Sequence, residues 1–402
     1  MVGSAADELP LPELHLGHSL ARLRWAVVRQ PSVVHLLIGE TPYVELVPVA
    51  INALPRQVLR KLTLLSQDLP RALPFPAALH NLRTLRVGNS TCTPSWLQQL
   101  GSLRQLQQLE MAVELGVGGM EDPAPPRLPA MPALTSLDLT LREGPPFSLC
   151  LASLPALRTL ALSGEGSAVL EASPDVAGPP GSTTLASVRL CCSDVVAPFS
   201  LMPAVRRAEV WVDQLEGAGS IAAATSLTRL QLGGDEAAFC GEPWVPELLR
   251  SAPASLRALA VVGSWLAAAA TAAGSLVQLR ALSVVADAPT LLPPEGAAVW
   301  RSLQVLNLDG HDHTRRLPLP EVLRRAAQLK ALQVFLSEPT VRDLHLLSLL
   351  PSLRHLVIGG MSEGVKAFTA PVVLQLLPQL QTFRTEPASW DELLELAGLP
   401  GD

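Results

Sequence analysis

Three short clusters contain residue types that could do chemistry. The segment GHDHTRR holds His311 and His313 two positions apart, with Asp312 between them. Zinc needs three or four protein ligands, and no third or fourth ligand stands near this pair. We therefore expect the two histidines to be structural or exposed, and we expect no metal.

The other two clusters are a vicinal thiol pair and adjacent carboxylates. Cys191 and Cys192 directly follow a predicted strand, whose alternation turns Cys191 outward and Cys192 toward the turn. A packed thiol fits this placement better than a redox couple. The carboxylate pairs 121–122 and 235–236 lie in predicted loops, where adjacent acids are ordinary solvated surface.

The motifs of common enzyme classes are missing from the sequence. It contains no phosphate-binding P-loop, no dinucleotide-binding glycine fingerprint, no HExxH and no nucleophile elbow in a suitable context. The sequence therefore predicts a protein that is not an enzyme and needs no cofactor.

Composition and charge limit the classes of binding partner and the cellular compartment that we expect for this protein. The chain has 402 residues and a net charge of −6, and no basic run suits a nucleic-acid backbone. Its five cysteines show no CxxC spacing, and the N-terminus lacks a basic region followed by an apolar one. We expect a monomer in the cytoplasm or the nucleus that binds neither nucleic acid nor membrane.

One stretch imitates a membrane span. Residues 258–279 carry no charge, which meets the length criterion for a spanning helix. The stretch is dominated by alanine and glycine, and it is in step with the repeat that organises the rest of the chain. We therefore expect it to belong to that repeat.

The repeat is clearest in LPALRTLALSG (154–164) and LPSLRHLVIGG (350–360), which share the formula LPxLRxLxxxG. Each copy can be indexed by the first aliphatic or aromatic residue of its LxL strand. From Leu14 to Phe383 the spacing averages about 24.6 residues, within the range of leucine-rich repeats. The sixteen indexed positions are Leu14, Leu36, Leu62, Leu85, Leu109, Leu137, Leu160, Val188, Ala208, Leu230, Leu259, Leu282, Leu306, Leu332, Leu356 and Phe383.

This spacing has a physical reason. Side chains alternate between the two sides of an extended segment, so Leu160 and Leu162 point inward while Ala161 points outward. A single copy cannot bury its leucines, whereas stacked copies bury them in one continuous core. Between strands, 95–106, 246–256, 321–330 and 341–353 show helical spacing, and the Pro/Gly-rich returns 116–130 and 164–182 indicate irregular loops.

On these copies the chain resembles the leucine-rich-repeat superfamily, of the intracellular, ribonuclease-inhibitor-like and F-box-associated type with irregular repeats. The resemblance implies an α/β solenoid, a curved horseshoe with a parallel concave sheet and a mixed helical and looped convex side. It implies one domain over 1–402, with about sixteen repeats over 11–385. Residues 1–10 are then an N-terminal tail and 386–402 a C-terminal cap or tail, and we expect fraying at 1–30 and 386–402.

Outward strand positions are where such arrays bind partners. These are the residues one before, one after and three after each indexed position. Most are small, but Trp and Arg, which are enriched in binding hot spots, cluster beside an apolar floor that begins at Ala258. The candidate partner-binding residues on the concave face are Arg189, Arg207, Glu209, Trp211, Arg229, Gln231, Asn307, Asp309 and Phe335.

The sequence thus predicts a non-enzymatic scaffold that binds a protein partner on its concave face. The alternative is the substrate-recognition subunit of an F-box-type ubiquitin ligase, although no F-box precedes the first copy at Leu11. A third hypothesis is an enzyme or nucleotide switch with an attached sensor array, for which residues 386–402 are too short. An opposing interpretation of Trp211 is that it only fills a packing defect.

Overall fold

The structure is a computed structural model, and it describes residues 13–16, 35–38, 59–64, 79–91, 94–114, 127–172, 182–233, 244–262, 276–285, 293, 296–309, 319 and 321–399. The chain groups into two compact units. Unit 1 comprises residues 1–197 and 201–203, and unit 2 comprises 198–200 and 204–402. The expectation of a single repeat domain over 1–402 stays a prediction.

Unit 1 is built on a parallel sheet whose strands follow one another in chain order, apart from short strands in the returns. The strands of this sheet are β1 (Glu13–Leu16), β2 (His35–Ile38), β3 (Lys61–Leu64), β4 (Thr84–Thr91), β5 (Gln108–Glu114), β6 (Ser136–Leu141), β8 (Thr159–Gly164) and β10 (Ser187–Cys191). Three return strands form a second parallel sheet, namely β7 (Phe147–Cys150), β9 (Ala168–Glu171) and β11 (Asp194–Val196).

Unit 2 is also built on parallel strands that follow one another in chain order. Its strands are β12 (Arg207–Val210), β14 (Arg229–Leu232), β15 (Ala258–Val262), β16 (Ala281–Val285), β17 (Val305–Asp309), β18 (Ala331–Phe335), β19 (His355–Gly359) and β20 (Thr382–Arg384). A further short strand, β13 (Gln214–Glu216), lies in the first return of this unit.

The register confirms the repeat at every indexed position within each unit. In unit 1 the indexed residues pair strand to strand from Leu14 through to Val188. In unit 2 they pair from Ala208 through to Phe383. A slip of one residue would turn each leucine to the opposite face, so this register keeps the aliphatic set in the core. The predicted α/β leucine-rich-repeat architecture is confirmed.

The core consists of the inward strand residues and the leucine that precedes each strand. Leu157, Leu160 and Leu162 are at most 2% exposed. The same positions of most other described repeats are buried, while Leu308, Leu380 and Phe383 are half-buried. Neighbouring copies are also joined just before each strand, where two successive N–H groups donate to one carbonyl. The amides of Arg83 and Thr84, for example, both donate to the carbonyl oxygen of Arg60, at 2.8 and 3.0 Å.

The returns are partly helical, as predicted. Within the described ranges, the helices are α1 (Pro94–Gln99), α2 (Trp244–Arg250), α3 (Val299–Ser302), α4 (Val341–Ser348), α5 (Glu363–Leu376) and α6 (Trp390–Leu396), and 3-10 turns include Leu100–Ser102 and Glu321–Arg325. The prediction of an irregular loop over 164–182 is wrong for Ala168–Glu171, which is β9. Only two of its four side chains, Ala168 and Leu170, are buried. An alternation of buried and half-buried residues this short is too weak a strand signal in a segment rich in proline and glycine.

The C-terminal region, expected to be a cap or a tail, contains a helix with a side-chain cap. Helix α6 begins with a capping box in which Ser389 accepts a hydrogen bond from the Glu392 amide and the Glu392 side chain accepts one from the Ser389 amide. Its Leu393 and Leu394 are at most 2% exposed. The cap and the buried leucines stabilise this helix, and the expectation of fraying at 386–402 stays a prediction. Residues 1–10 lie outside the described part of the chain.

The uncharged stretch 258–279 is not a single helix. Its described residues form β15 and the turn that precedes β16. Among the residues that the structure describes, none of the helices combines the length and the apolarity needed to span a bilayer.

Candidate functional site

The outer face of the unit 2 sheet, the face opposite the leucine core, has a smooth apolar floor. Four of its residues stand in one continuous row, since Ala258 pairs with Ala281, Ala281 with Val305, and Val305 with Ala331. With Val357 they form what we call the floor, and no floor side chain is more than 6% exposed. Side chains on an open sheet face would be exposed, so the floor must be covered.

The cover is the chain's own residues 386–399, which we call the C-terminal segment. Its Ala388, Leu393, Leu394 and Ala397 form one buried apolar cluster with the floor, and Trp390 and Leu399 pack against that cluster. Residues three and four apart share one face of a helix, so α6 presents this apolar side to the sheet. Alanine and valine suit the floor because their small side chains let the helix approach closely.

Hydrogen bonds fix the segment where it enters the floor. The amide of Ala388 donates to Oε1 of Gln333 at 2.9 Å, and Gln333 is 1% exposed. Beside it on the sheet, Nδ2 of Asn307 donates to Oγ of Ser283 at 3.0 Å. Gln333 would lose its acceptor bond if the segment left, whereas the bond between Asn307 and Ser283 lies within the sheet.

An ion pair fixes the start of α6. Asp391 pairs with Arg229, whose side chain is 9% exposed, and lies 3.8 Å from Nη1 of Arg207. Burial, the largest cause, lowers the pKa of the Arg229 guanidinium below its ordinary value, while the hydrogen bond to Asp391 acts in the opposite direction. A buried guanidinium needs such a partner, so Asp391 matters more than its 51% exposure suggests.

A cavity of about 170 Å³ lies beside α6. Arg207, Arg229, Arg257 and Arg280 line it, and Leu394 supplies part of its apolar wall. Among the described residues, no acidic side chain lies within salt-bridge distance of Arg257 or Arg280. The cavity is therefore a cationic recess in which Asp391 of the C-terminal segment reaches Arg229 and Arg207, while no described acid pairs with Arg257 or Arg280.

The two aromatic candidates pack against glycines of the next repeat. A Cβ added to Gly233 would lie 2.6 Å from the ring of Trp211, and one added to Gly359 would lie 2.9 Å from the ring of Phe335. Nε1 of Trp211 is buried without a hydrogen-bond partner. These contacts favour the interpretation of Trp211 as a packing residue.

The nine predicted residues differ in burial and position. Arg189 is exposed in β10 of unit 1. On the unit 2 face, Arg229 and Asn307 are buried under the C-terminal segment, and Arg207, Glu209, Trp211, Gln231 and Phe335 are half-buried. Asp309 is the last residue of β17. Asp391 brings Arg207 and Arg229 together as a shared partner.

Sequence reasoning missed the residues of the C-terminal segment and two arginines of the recess, Arg257 and Arg280. Asp391, Leu393 and Leu394 belong to SWDELLEL, which opens with the capping-box pattern S-x-x-E before an apolar run. That pattern predicts a helix here. Arg257 and Arg280 stand one residue before the floor alanines, in the LRxL portion of their copies. The repeat formula LPxLRxLxxxG itself contains an arginine at this position, so these two arginines were attributed to the repeat and not to a site.

The remaining chemical candidates do not form a site. His311 and His313 lie outside the described residues, and in the described ranges no three His, Cys, Asp or Glu side chains come together as a metal site would require. Cys192 is 3% exposed and Cys191 is half-buried, and neither is in a disulfide. This agrees with the interpretation of Cys192 as a packed thiol.

Glu392 and His355 also have shifted pKa values. The pKa of Glu392 is lowered, chiefly by the hydrogen bond that its carboxylate accepts from the Ser389 amide. The pKa of His355 is lowered, chiefly by burial and then by the charge of Arg354. Nδ1 of His355 lies 2.9 Å from Oγ1 of Thr382, on the next strand of the outer face.

Comparison by sequence finds no matching protein-family model and no matching curated protein. Among solved structures, a leucine-rich-repeat protein of Leptospira interrogans is 14% identical, with a TM-score of 0.41, and the alignment covers 88% of this chain and 90% of that one. An internalin of Listeria monocytogenes is 15% identical, with a TM-score of 0.36, covering 79% and 84%. TLR13 in its complex with ssRNA13 is 15% identical, with a TM-score of 0.46, covering 84% of this chain and half, 50%, of that one.

Proposed function

We propose that this protein is a non-enzymatic protein–protein interaction scaffold that binds a protein partner on the outer face of the unit 2 sheet. The observation that carries the proposal is the C-terminal segment itself. The face holds this peptide by an apolar floor, a side chain that bonds its backbone, and a charged pair at one end. An apolar centre with polar groups at its rim is the usual anatomy of a protein-recognition surface.

The half-buried residues next to the segment extend this surface. Arg207 pairs in register with Arg229, and Glu209 with Gln231, so four polar side chains stand on adjacent strands at the end of the floor. Arg207 is 31% exposed at its side chain even though Asp391 lies close to it. A partner can contact this group without displacing the leucine core.

Affinity capture with quantitative mass spectrometry tests the proposal on the full chain. The test variant combines Arg207→Glu with Gln231→Glu, which reverses the charge of the face without touching the floor. The matched control is Arg301→Glu, an exposed arginine of α3 on a return. We expect proteins captured by the wild type and the control to be lost from the test variant. Equal recovery by all three, with unchanged circular dichroism, would refute the proposed surface.

A further inference from the structure

The C-terminal segment occupies the very face on which a protein partner is proposed to bind. This inference therefore rests on the proposed function and specifies its partner. The segment is attached to the strand before it, β20, by only the few residues between Arg384 and Trp390. A tether of this length gives a local concentration on the order of millimolar, so any outside partner must make better contacts than the segment does.

The C-terminal segment does not make all the contacts that this face offers to a partner. The recess beside it is lined by four arginines, and Asp391 reaches only Arg207 and Arg229. Three polar atoms at this contact are buried with no partner among the described residues, namely Nε of Arg229, Oδ1 of Asn307 and Nε1 of Trp390. Unpaired buried polar atoms weaken an interface. The contact between the segment and the sheet is therefore less stable than a core in which every buried polar atom is paired.

The segment is also a weak element by itself. Helix α6 has seven residues, and isolated helices of that length do not persist in water. Its end is set by Gly398, whose φ of +70° is in the left-handed region. The amide of Leu399 closes that end by donating to the carbonyl of Leu394 at 2.9 Å. The helix therefore stops where its last residues border the recess.

We propose that the C-terminal segment is an intramolecular stand-in for an acidic amphipathic helix of a partner protein, which displaces it from the floor and places a further acidic side chain in the arginine recess. The partner helix carries an acid that pairs with Arg229 and an apolar pair that covers the floor, as Asp391 and the two leucines do. Its second acid lies one turn beyond the apolar pair. A helix that continues past the position of Gly398 brings that acid onto the face of Leu394.

Peptide binding to the full chain tests the proposal. The first probe is a fluorescein-labelled peptide of residues 386–399, and the second is the same peptide with Gly398→Glu. The receptor is the wild type or a full-length chain whose own segment is released by Leu393→Ser with Leu394→Ser. A second release variant, Asp391→Arg, acts by charge repulsion from Arg229 and leaves both leucines in place. Fluorescence anisotropy gives the dissociation constants.

We expect both release variants to bind the first probe at least tenfold more tightly than the wild type. The Gly398→Glu probe should bind several-fold more tightly than the first, because its acid reaches the recess. Adding Arg229→Glu to the serine release variant should weaken binding of either probe at least tenfold, whereas adding Arg301→Glu should not change it.

Equal binding of the probes by wild type and release variants, or no binding by any of them, would overturn the proposal. The segment would then be a fixed part of the fold, while the capture experiment with Arg207→Glu and Gln231→Glu would still decide the proposed function. Concentration-dependent dimers of the release variants that vanish with Arg229→Glu would also overturn it, because the occupant would be a second copy of this chain.

Discussion

Asp391 of α6 forms an ion pair with Arg229 of β14, 162 residues earlier in the chain. The pair joins the last helix to the outer face of the unit 2 sheet, at the end of a row of small floor residues. Because Arg229 is buried and Asp391 is half exposed, the arginine depends on the pair more than the acid does. The location of the C-terminal segment therefore depends on both the apolar cluster and this charge.

The floor must stay small for α6 to lie on it. Ala281 is fully buried under the C-terminal segment, so Ala281→Leu adds volume where there is no space, at a cost of about 1–3 kcal/mol. We expect α6 to be released, with faster hydrogen exchange at residues 390–396. Ala161→Leu, on the half-buried outer face of β8, is the control and should leave that exchange unchanged. Unaltered exchange in both variants would show that α6 does not press on the floor.

Gly233 must lack a side chain because the ring of Trp211 covers it. A Cβ at Gly233 would lie 2.6 Å from that ring, so Gly233→Ala should lower the free energy of unfolding by roughly 1–3 kcal/mol and shift the tryptophan emission. Gly364→Ala in α5 is the control. No atom lies within 4 Å of its added Cβ, and alanine in a helix should stabilise the fold by about 0.5–1 kcal/mol. Denaturant titration measures both, and a neutral Gly233→Ala would refute the packing role of Trp211.

His355 should make stability depend on pH. Burial lowers its pKa in the folded chain, so below about pH 6.5, the ordinary histidine value, the unfolded chain takes up a proton that the folded chain refuses. Stability is then complete above that pH and falls as the pH drops from 6.5 toward the lower folded pKa. His355→Gln should flatten the melting temperature between pH 6.5 and 5. The exposed His345→Gln of α4 is the control, and equal slopes in the two variants would contradict this account.

The repeat could be predicted from sequence because it is local and redundant. Each indexed leucine is one of many equivalent residues, and the alternation around it fixes the face it occupies, so strand and register followed at all sixteen positions. A short alternation that occurs only once, as in β9, was not recognised as a strand. The subtype, ribonuclease-inhibitor-like or F-box-associated, stays a prediction because outward positions, which vary freely, carry no subtype signature here.

The candidate site was only partly predictable for a different reason. The run of small residues from Ala258 through Ala281 to Val285 indicated an apolar floor, whereas the helix of SWDELLEL was not predicted. Periodicity does not indicate that one covers the other, because their contact joins segments of the chain that are far apart and occurs once. Arg229 is named as a site residue from sequence, yet its partner Asp391 is given no role there beyond a C-terminal cap or tail.

The most direct test of the central claim is a double-mutant cycle between Arg229 and Asp391 on the full chain. The variants are Arg229→Met, Asp391→Ala and both together, and the free energies of unfolding come from denaturant titration. If the C-terminal segment lies on the outer face as described, the two changes are coupled by about 1–3 kcal/mol, as residues of one buried contact are. Additive effects of the two substitutions would contradict the account.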